Sequence, residues 1–157
     1  MDRIKTLRQC LGKFATGVTV VSCLDQAGRP CGITANSFSS VSLDPPLVLW
    51  NIAKVSKSLS AYLAAEHFVI NILSAQQQSL ARHFANSENG LFDGIEYQDS
   101  RHEVPVLSNT LAHLECRMHA RHDYGDHHII IGDVTNFELT DSEPLIFYGG
   151  NYTGVKD

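Results

Sequence analysis

The apolar positions change their period several times along this 157-residue chain. Ile4, Leu7, Leu11 and Phe14 recur at helical spacing, so residues 3–14 predict a short helix, with Gly17 beyond its end. "GVTVVSCL" (17–24) predicts a strand through its β-branched Val18, Val20 and Val21. "DQAGRP" (25–30) has turn chemistry, with Gly28 free to take a positive φ. "CGITANSFSSV" (31–41) predicts a second strand, polar from its middle onward, which completes a hairpin. "LDPP" (43–46) breaks it, because proline cannot continue a ladder. "LVLWNI" (47–52) predicts a third, wholly apolar strand.

"SKSLSAYLAAE" (56–66) predicts a helix capped by Ser56 or Ser58, with Leu59, Tyr62 and Leu63 as its apolar stripe. "HFVINILS" (67–74) predicts a strand. "AQQQSLARHFANS" (75–87) predicts a helix with Leu80 and Phe84 on one face. Residues 86–103 are polar and loop-like. Residues 111–126 predict a strand that ends in a turn at Gly125. Residues 127–139 predict another, broken by a bulge at Gly132. Residues 143–154 predict a short strand and a flexible tail. Strands outnumber helices and follow one another at hairpin spacing. The expected fold is mostly β, an antiparallel barrel with covering helices, in one domain over 1–157.

Composition changes this picture little. A chain of this length buries around two thirds of its unfolded surface, enough for an independent core. Hydrophobic residues make up 43% and charged residues 18%, as in ordinary globular proteins. The formal charge of -5 argues against a nucleic-acid partner, which needs a basic face. None of Cys10, Cys23, Cys31 and Cys116 forms a C-x-x-C pair, so buried free thiols in a reducing compartment are expected. The N-terminal stretch is too polar for a secretory signal, and no apolar run approaches the ~20 residues that span a bilayer. A cytoplasmic protein without a membrane segment is the expectation.

The chemistry-bearing stretch is "GITANSFSSVSLDPPLVLW" (32–50), where Thr34, Asn36, Ser37, Ser39, Ser40 and Ser42 crowd beside β-prone sequence. Neither G-x-G-x-x-G nor G-x-x-x-x-G-K-[ST] occurs, so a nucleotide would not bind in the Rossmann or Walker manner. An anion can instead be held by hydroxyls, backbone N–H groups and a helix start. Ser56, Lys57 and Ser58 supply such a set, and Arg82 could add a bidentate clamp. Each serine taken singly reads best as a turn or cap residue; the whole run favours binding. His119, His122, His127 and His128 invite a metal, yet a strand puts His127 and His128 on opposite faces, so no metal is expected. His127, after the "YGD" turn, is placed to point at a ligand over the sheet end. No nucleophile elbow is present, and Cys116 reads as core.

With those residues in view, the chain resembles the flavin reductase family of the FMN-binding split barrel. "FATGVTVVS" (14–22), "GITANSFSSVSLDPPLVLW" (32–50), the helix–strand–helix stretch 56–85, "FDGIEY" (92–97), "PVL" (105–107), "AHLEC" (112–116), "GDHHIIIGDV" (125–134) and "PLIFYGGNY" (144–152) follow one another in family order. Lys57–Ser58 departs from the Ser–Thr step that members often show. The resemblance implies a six-stranded antiparallel split β-barrel, a homodimer, with FMN or FAD near the subunit interface. Thr34, Ala35, Asn36 and Ser37 would run along the isoalloxazine and ribityl chain. Ser42, Ser56, Lys57, Ser58 and Arg82 would lie on the phosphate side, and Phe84 near the same pocket. His127 would face the nicotinamide of NADH or NADPH, with Tyr148 and Tyr152 closing the site.

The implied activity is an NAD(P)H:flavin oxidoreductase in which hydride passes from nicotinamide C4 to flavin N5. The reduced flavin would go to a partner flavin-dependent monooxygenase. The alternatives are a non-enzymatic flavin- or haem-binding split-barrel protein, a metal-dependent enzyme built on His119–His128, and an electron shuttle that keeps its flavin.

Overall fold

In the computed structural model, which describes residues 2–86 and 91–155, strands dominate and three short helices cover them. In chain order these are α1 (Arg3–Leu11), β1 (Thr16–Gly17), β2 (Thr19–Leu24), β3 (Pro30–Ala35), β4 (Ser39–Leu43), β5 (Pro46–Ala53), α2 (Leu59–Ala64), β6 (His67–Ile72), α3 (Gln78–Asn86), β7 (Tyr97–Asp99), β8 (Pro105–Leu107), β9 (Ala112–Tyr124), β10 (His127–Leu139), β11 (Ile146–Tyr148) and β12 (Asn151–Thr153). The main sheet is antiparallel throughout, in the order β3-β2-β6-β9-β10-β5-β4. Six longer strands form the body, and the short β4 is added at one edge. Ser37 fastens the two ends: its hydroxyl accepts from Asn51 N at 2.9 Å and donates to Asn51 O at 3.2 Å, tying the chain just past β3 to β5. The expected mostly-β, antiparallel split-barrel architecture is what the chain forms.

β2 explains why its sequence is apolar on both faces. Val21 and Cys23 join Trp50, Ile52, Phe68, Ile70 and Ile130 inside the barrel. Val18 and Val20 face a second apolar cluster with Leu73, Ala81, Phe84, Phe92 and Leu107 under α3. The polar residues of this region are pinned. Ser22 Oγ donates to Pro105 O at 2.5 Å, and Asn71 Nδ2 donates to Val20 O at 2.9 Å while Asn71 Oδ1 accepts from Leu107 N at 2.9 Å. Leaving such buried amide and hydroxyl groups unbonded would be costly.

Several boundaries differ from the sequence expectation. α1 stops at Gly12 instead of running to 14; Asp2 Oδ1 caps its start by accepting from Ile4 N at 3.0 Å. The expected strand 31–41 is two strands. The chain leaves β3 after Ala35 and re-enters on the far edge as β4, so "LDPP" is the hairpin turn between β4 and β5, and Pro46 opens β5. The start of the 75–87 helix is a tighter 3-10 turn over Ala75–Gln77, closed by a reciprocal Ser74–Gln77 capping box; position 87 lies outside the described residues. The polar 86–103 stretch holds the short β7, and the tail folds as the β11–β12 hairpin. The Gly132 irregularity is present: the β9–β10 register shifts between Ile131 and Gly132, where a Cβ would sit 2.6 Å from Phe68 Cζ.

Candidate flavin site

Gly32 determines how closely α3 approaches β3. A Cβ there would lie 2.9 Å from the Phe84 ring, so only glycine lets that ring pack onto the strand. Thr34 completes the join, its Oγ1 donating to Ala81 O at 2.7 Å. Between β3, the end of β5 and the C-terminal end of α3 the surface folds into a cleft of ≈ 420 Å³. Its walls are apolar at Ile33, Ala53, Val55 and Phe84. Its end is polar at Ser56, Lys57 and Ser58. A second cavity of ≈ 450 Å³ continues from it and shares Lys57 and Ser58. Asp25 and Arg29 also line it. The Asp25 carboxylate is held below its usual range, first by the Arg29 backbone N–H that it accepts at 2.8 Å.

The donor set fits a flavin. The cleft has the size of a small-molecule site. A flat aromatic system matches the Ile33–Ala53–Phe84 walls. A phosphate matches Lys57 and the two serines. Ser58 occupies the N-cap position of α2, yet its hydroxyl makes no capping bond, which leaves it for the cleft.

His127 is joined to this cleft through the backbone. It pairs with Ala53 in the β5–β10 ladder, and Lys54 N donates to Asp126 O at 2.9 Å. The His127 side chain is half exposed, and its Nδ1 lies 2.7 Å from Asp126 Oδ1. This bond holds the Asp126 carboxylate below its ordinary pKa. The imidazole is thereby oriented with Nε2 away from Asp126.

The remaining expected residues divide. Ser56, Lys57, Ser58 and Phe84 line the cleft. Ala35 is buried and Asn36 exposed, on the backbone that follows Thr34. The hydroxyls of Thr34 and Ser37 are engaged within the fold, so they would serve a ligand mainly by fixing that backbone. Ser42 is not brought to the cleft. It pairs with Leu47, at the other end of β5 from Ala53, roughly 20 Å of strand away. Arg82 also points elsewhere. Two residues along a helix turn a side chain to the opposite face from Phe84, and the Arg82 guanidinium sits 5.8 Å over the Tyr152 ring. Tyr152 packs on Phe147, while Tyr148 lies under the Lys13 ammonium at 5.9 Å. Neither tyrosine lines the cleft. Gly32, Ile33, Ala53 and Val55 do, and the sequence reading passed over them; a glycine inside a strand, at 32, was the available signal. Among the described residues no three His, Cys, Asp or Glu side chains are grouped as a metal would require.

The model of the flavin reductase like domain matches residues 11–156. The chain belongs to the flavin reductase family. Its relatives include the FMN reductase (NADH) SmoA of Agrobacterium fabrum, 47% identical over 151 residues that cover 96% of this chain and 86% of that one. The reductase subunit HsaB of a flavin-dependent monooxygenase from Rhodococcus jostii is 38% identical, covering 97% of this chain and 78% of that one. Among solved structures, the Streptomyces globisporus NADH:FAD oxidoreductase SgcE6, in complex with NAD and FAD fragments, superposes with a TM-score of 0.90 at 37% identity. It covers 96% of this chain and 92% of that one.

Proposed function

We propose that this flavin reductase family member is an NAD(P)H:flavin oxidoreductase that passes hydride from nicotinamide C4 to flavin N5 and supplies reduced flavin to a partner flavin-dependent monooxygenase. The observation that carries this reading is the single cleft with an apolar slot, a cationic hydroxyl-rich end, and His127 bonded to its rim through Ala53. FMN or FAD, when bound, supplies the two-electron acceptor. The chain's own residues do the rest. Ile33, Ala53 and Phe84 exclude water from the ring face. Lys57, Ser56 and Ser58 neutralise and hydrogen-bond the phosphate. The Ala35–Asn36 backbone, locked by Thr34 and Ser37, offers fixed dipoles to the charge that accumulates on reduction. His127, oriented by Asp126, positions the nicotinamide.

A homodimer fits this reading. α1 contains no buried residue, and its Ile4, Leu7 and Leu11 stripe is more than half exposed. Phe137 and Leu139 at the end of β10 are also exposed. A nine-residue helix is marginal alone and is stabilised by covering its apolar face. Such surfaces are typical of subunit contacts. A reducing cytoplasm suits four free thiols. No helix among the described residues is long and apolar enough to cross a membrane.

The test is anaerobic stopped-flow mixing of protein with FMN or FAD, then NADH or NADPH, following flavin bleaching. Fast bleaching with one pairing is expected and names both partners. Tight flavin binding without bleaching by any pairing would replace this reading with the non-enzymatic carrier.

A further inference from the structure

Cys23 on β2 and Cys31 on β3 are direct cross-strand partners in the antiparallel ladder. Their sulfurs lie 3.2 Å apart, and both thiols are free. Facing residues in such a ladder have Cα atoms about 4.5–5.5 Å apart. A disulfide accepts Cα separations of about 4.4–6.8 Å. The two sulfurs therefore need to approach by only about 1 Å to bond.

The pair is also placed for exposure to an oxidant. Cys31 is 4% exposed, and that surface opens into the ≈ 450 Å³ cavity that shares Lys57 and Ser58 with the flavin cleft. Its neighbour Gly32 lines the flavin cleft itself. Cys23 is fully buried behind it. We propose that Cys23 and Cys31 form a peroxide-reactive dithiol beside the flavin cleft, which closes to a disulfide when reduced flavin is oxidised by dioxygen instead of reaching its acceptor. This inference rests on the reductase reading for its source of oxidant.

The chemistry balances. Reduced flavin gives two electrons and two protons to dioxygen, forming hydrogen peroxide. The Cys31 thiolate attacks one peroxide oxygen, the O–O bond breaks, and hydroxide leaves as water with the thiol's proton. The product is a Cys31 sulfenic acid. The Cys23 thiol then attacks that sulfur; the S–S bond forms, the S–O bond breaks, and a second water leaves. The sulfurs lose two electrons in all. The order of roles follows from the pair's asymmetry. Cys31 borders the ≈ 450 Å³ cavity that an oxidant can enter, while Cys23 is fully buried behind it with its sulfur 3.2 Å from that of Cys31. Cys31 is thus the attacking thiolate and Cys23 the resolving thiol.

The molecule carries its own controls. Cys10 is exposed on α1 and has no sulfur partner. Cys116 is buried, with its thiol pushed up to about 12, chiefly by desolvation. The full-length protein is treated with graded hydrogen peroxide without flavin. In parallel it turns over NADH or NADPH with FMN or FAD in air, with and without catalase. Differential alkylation and peptide mass spectrometry then report each thiol. The expected result is joint loss of Cys23 and Cys31 at least ~10-fold faster than Cys116. The linked peptides are lighter by two hydrogens, thiol reductants restore them, and catalase prevents the change during turnover. In Cys23→Ser, a sulfenic-acid trap should label Cys31. Both thiols remaining alkylatable after peroxide has consumed Cys10 would overturn the proposal. Closure with added peroxide but none during measured turnover would overturn the flavin as source. Closure in a protein without any NAD(P)H–flavin turnover would overturn the reductase reading and that source with it, while the dithiol would stand.

Discussion

The backbone of His127 pairs in register with that of Ala53, so the β9–β10 turn is anchored to the wall of the candidate flavin cleft. This relationship explains how a residue 74 positions further along the chain is held at a site built mainly from residues 32–58 and 84–86. It also separates two roles, because the side chain of His127 contacts Asp126 and does not line the cleft.

His127→Ala should therefore lower hydride transfer by at least about 10-fold, through lost positioning, while flavin affinity changes little. Stopped-flow bleaching rates at saturating flavin, set beside fluorescence titrations, check this. Collapsed flavin binding with unchanged turnover per bound flavin would remove the role.

Lys57→Ala should reduce the preference for FMN over riboflavin by about tenfold, the loss of one charge-assisted contact of about 1.4 kcal/mol. Binding of riboflavin, which lacks the phosphate, should be nearly unchanged. Equal weakening of both ligands would place Lys57 away from the phosphate.

Gly32→Ala puts a methyl group 2.9 Å from the Phe84 ring, which lines the cleft and packs against Phe92. Overpacking of this kind costs about 1–3 kcal/mol. Urea unfolding should show it, and flavin titration should show weaker binding in the same variant.

Asn36→Ala combined with Ser37→Ala should weaken flavin binding by at least ~1 kcal/mol. The single changes should differ. Ser37→Ala leaves both Asn51 backbone groups without their partner and lowers stability as well, whereas Asn36→Ala acts on binding alone. Melting curves with and without flavin distinguish them.

His67 stacks on His102 at 3.7 Å with the rings 6° from parallel. Burial, and then the facing His102, lower the His67 pKa below its ordinary 6.5. Glu66 opposes this shift and Arg117 adds to it. The folded chain thus holds the proton less readily than the unfolded one, and stability increases with pH across this range. The contribution is fully present above pH about 6.5 and is lost as pH falls through the lowered value. Unfolding midpoints at pH about 7.5 and about 5.5 should differ, and His67→Gln should narrow that difference.

Much of this was legible from residue patterns. Period-2 alternation and turn residues give β9, β10 and the break at Gly132, because hairpin partners are neighbours in sequence. That Ser56, Lys57 and Ser58 form one polar patch at a helix start was readable from their adjacency. What was not legible depends on distant contacts. That the run 31–41 divides between two sheet edges follows from Ser37 binding Asn51, a bond that no local pattern encodes. Arg82 suits a phosphate by type, yet helix phase turns it toward Tyr152. Ser42 belongs to the same hydroxyl-rich run as Ser37, but the chain has by then crossed to the far end of β5. The apolar wall residues Ile33, Ala53 and Val55 carry no chemical signature at all.

The engagement of Thr34 and Ser37 within the fold has a consequence for how ligands come and go. The segment between them is clamped at both ends by bonds to the chain's own backbone, at Ala81 and Asn51. Its shape is therefore set by the protein's own contacts. A visiting molecule would meet a berth already cut to size, and its departure would leave nothing to rebuild. A berth of that kind would suit traffic as well as storage, standing ready for each arrival.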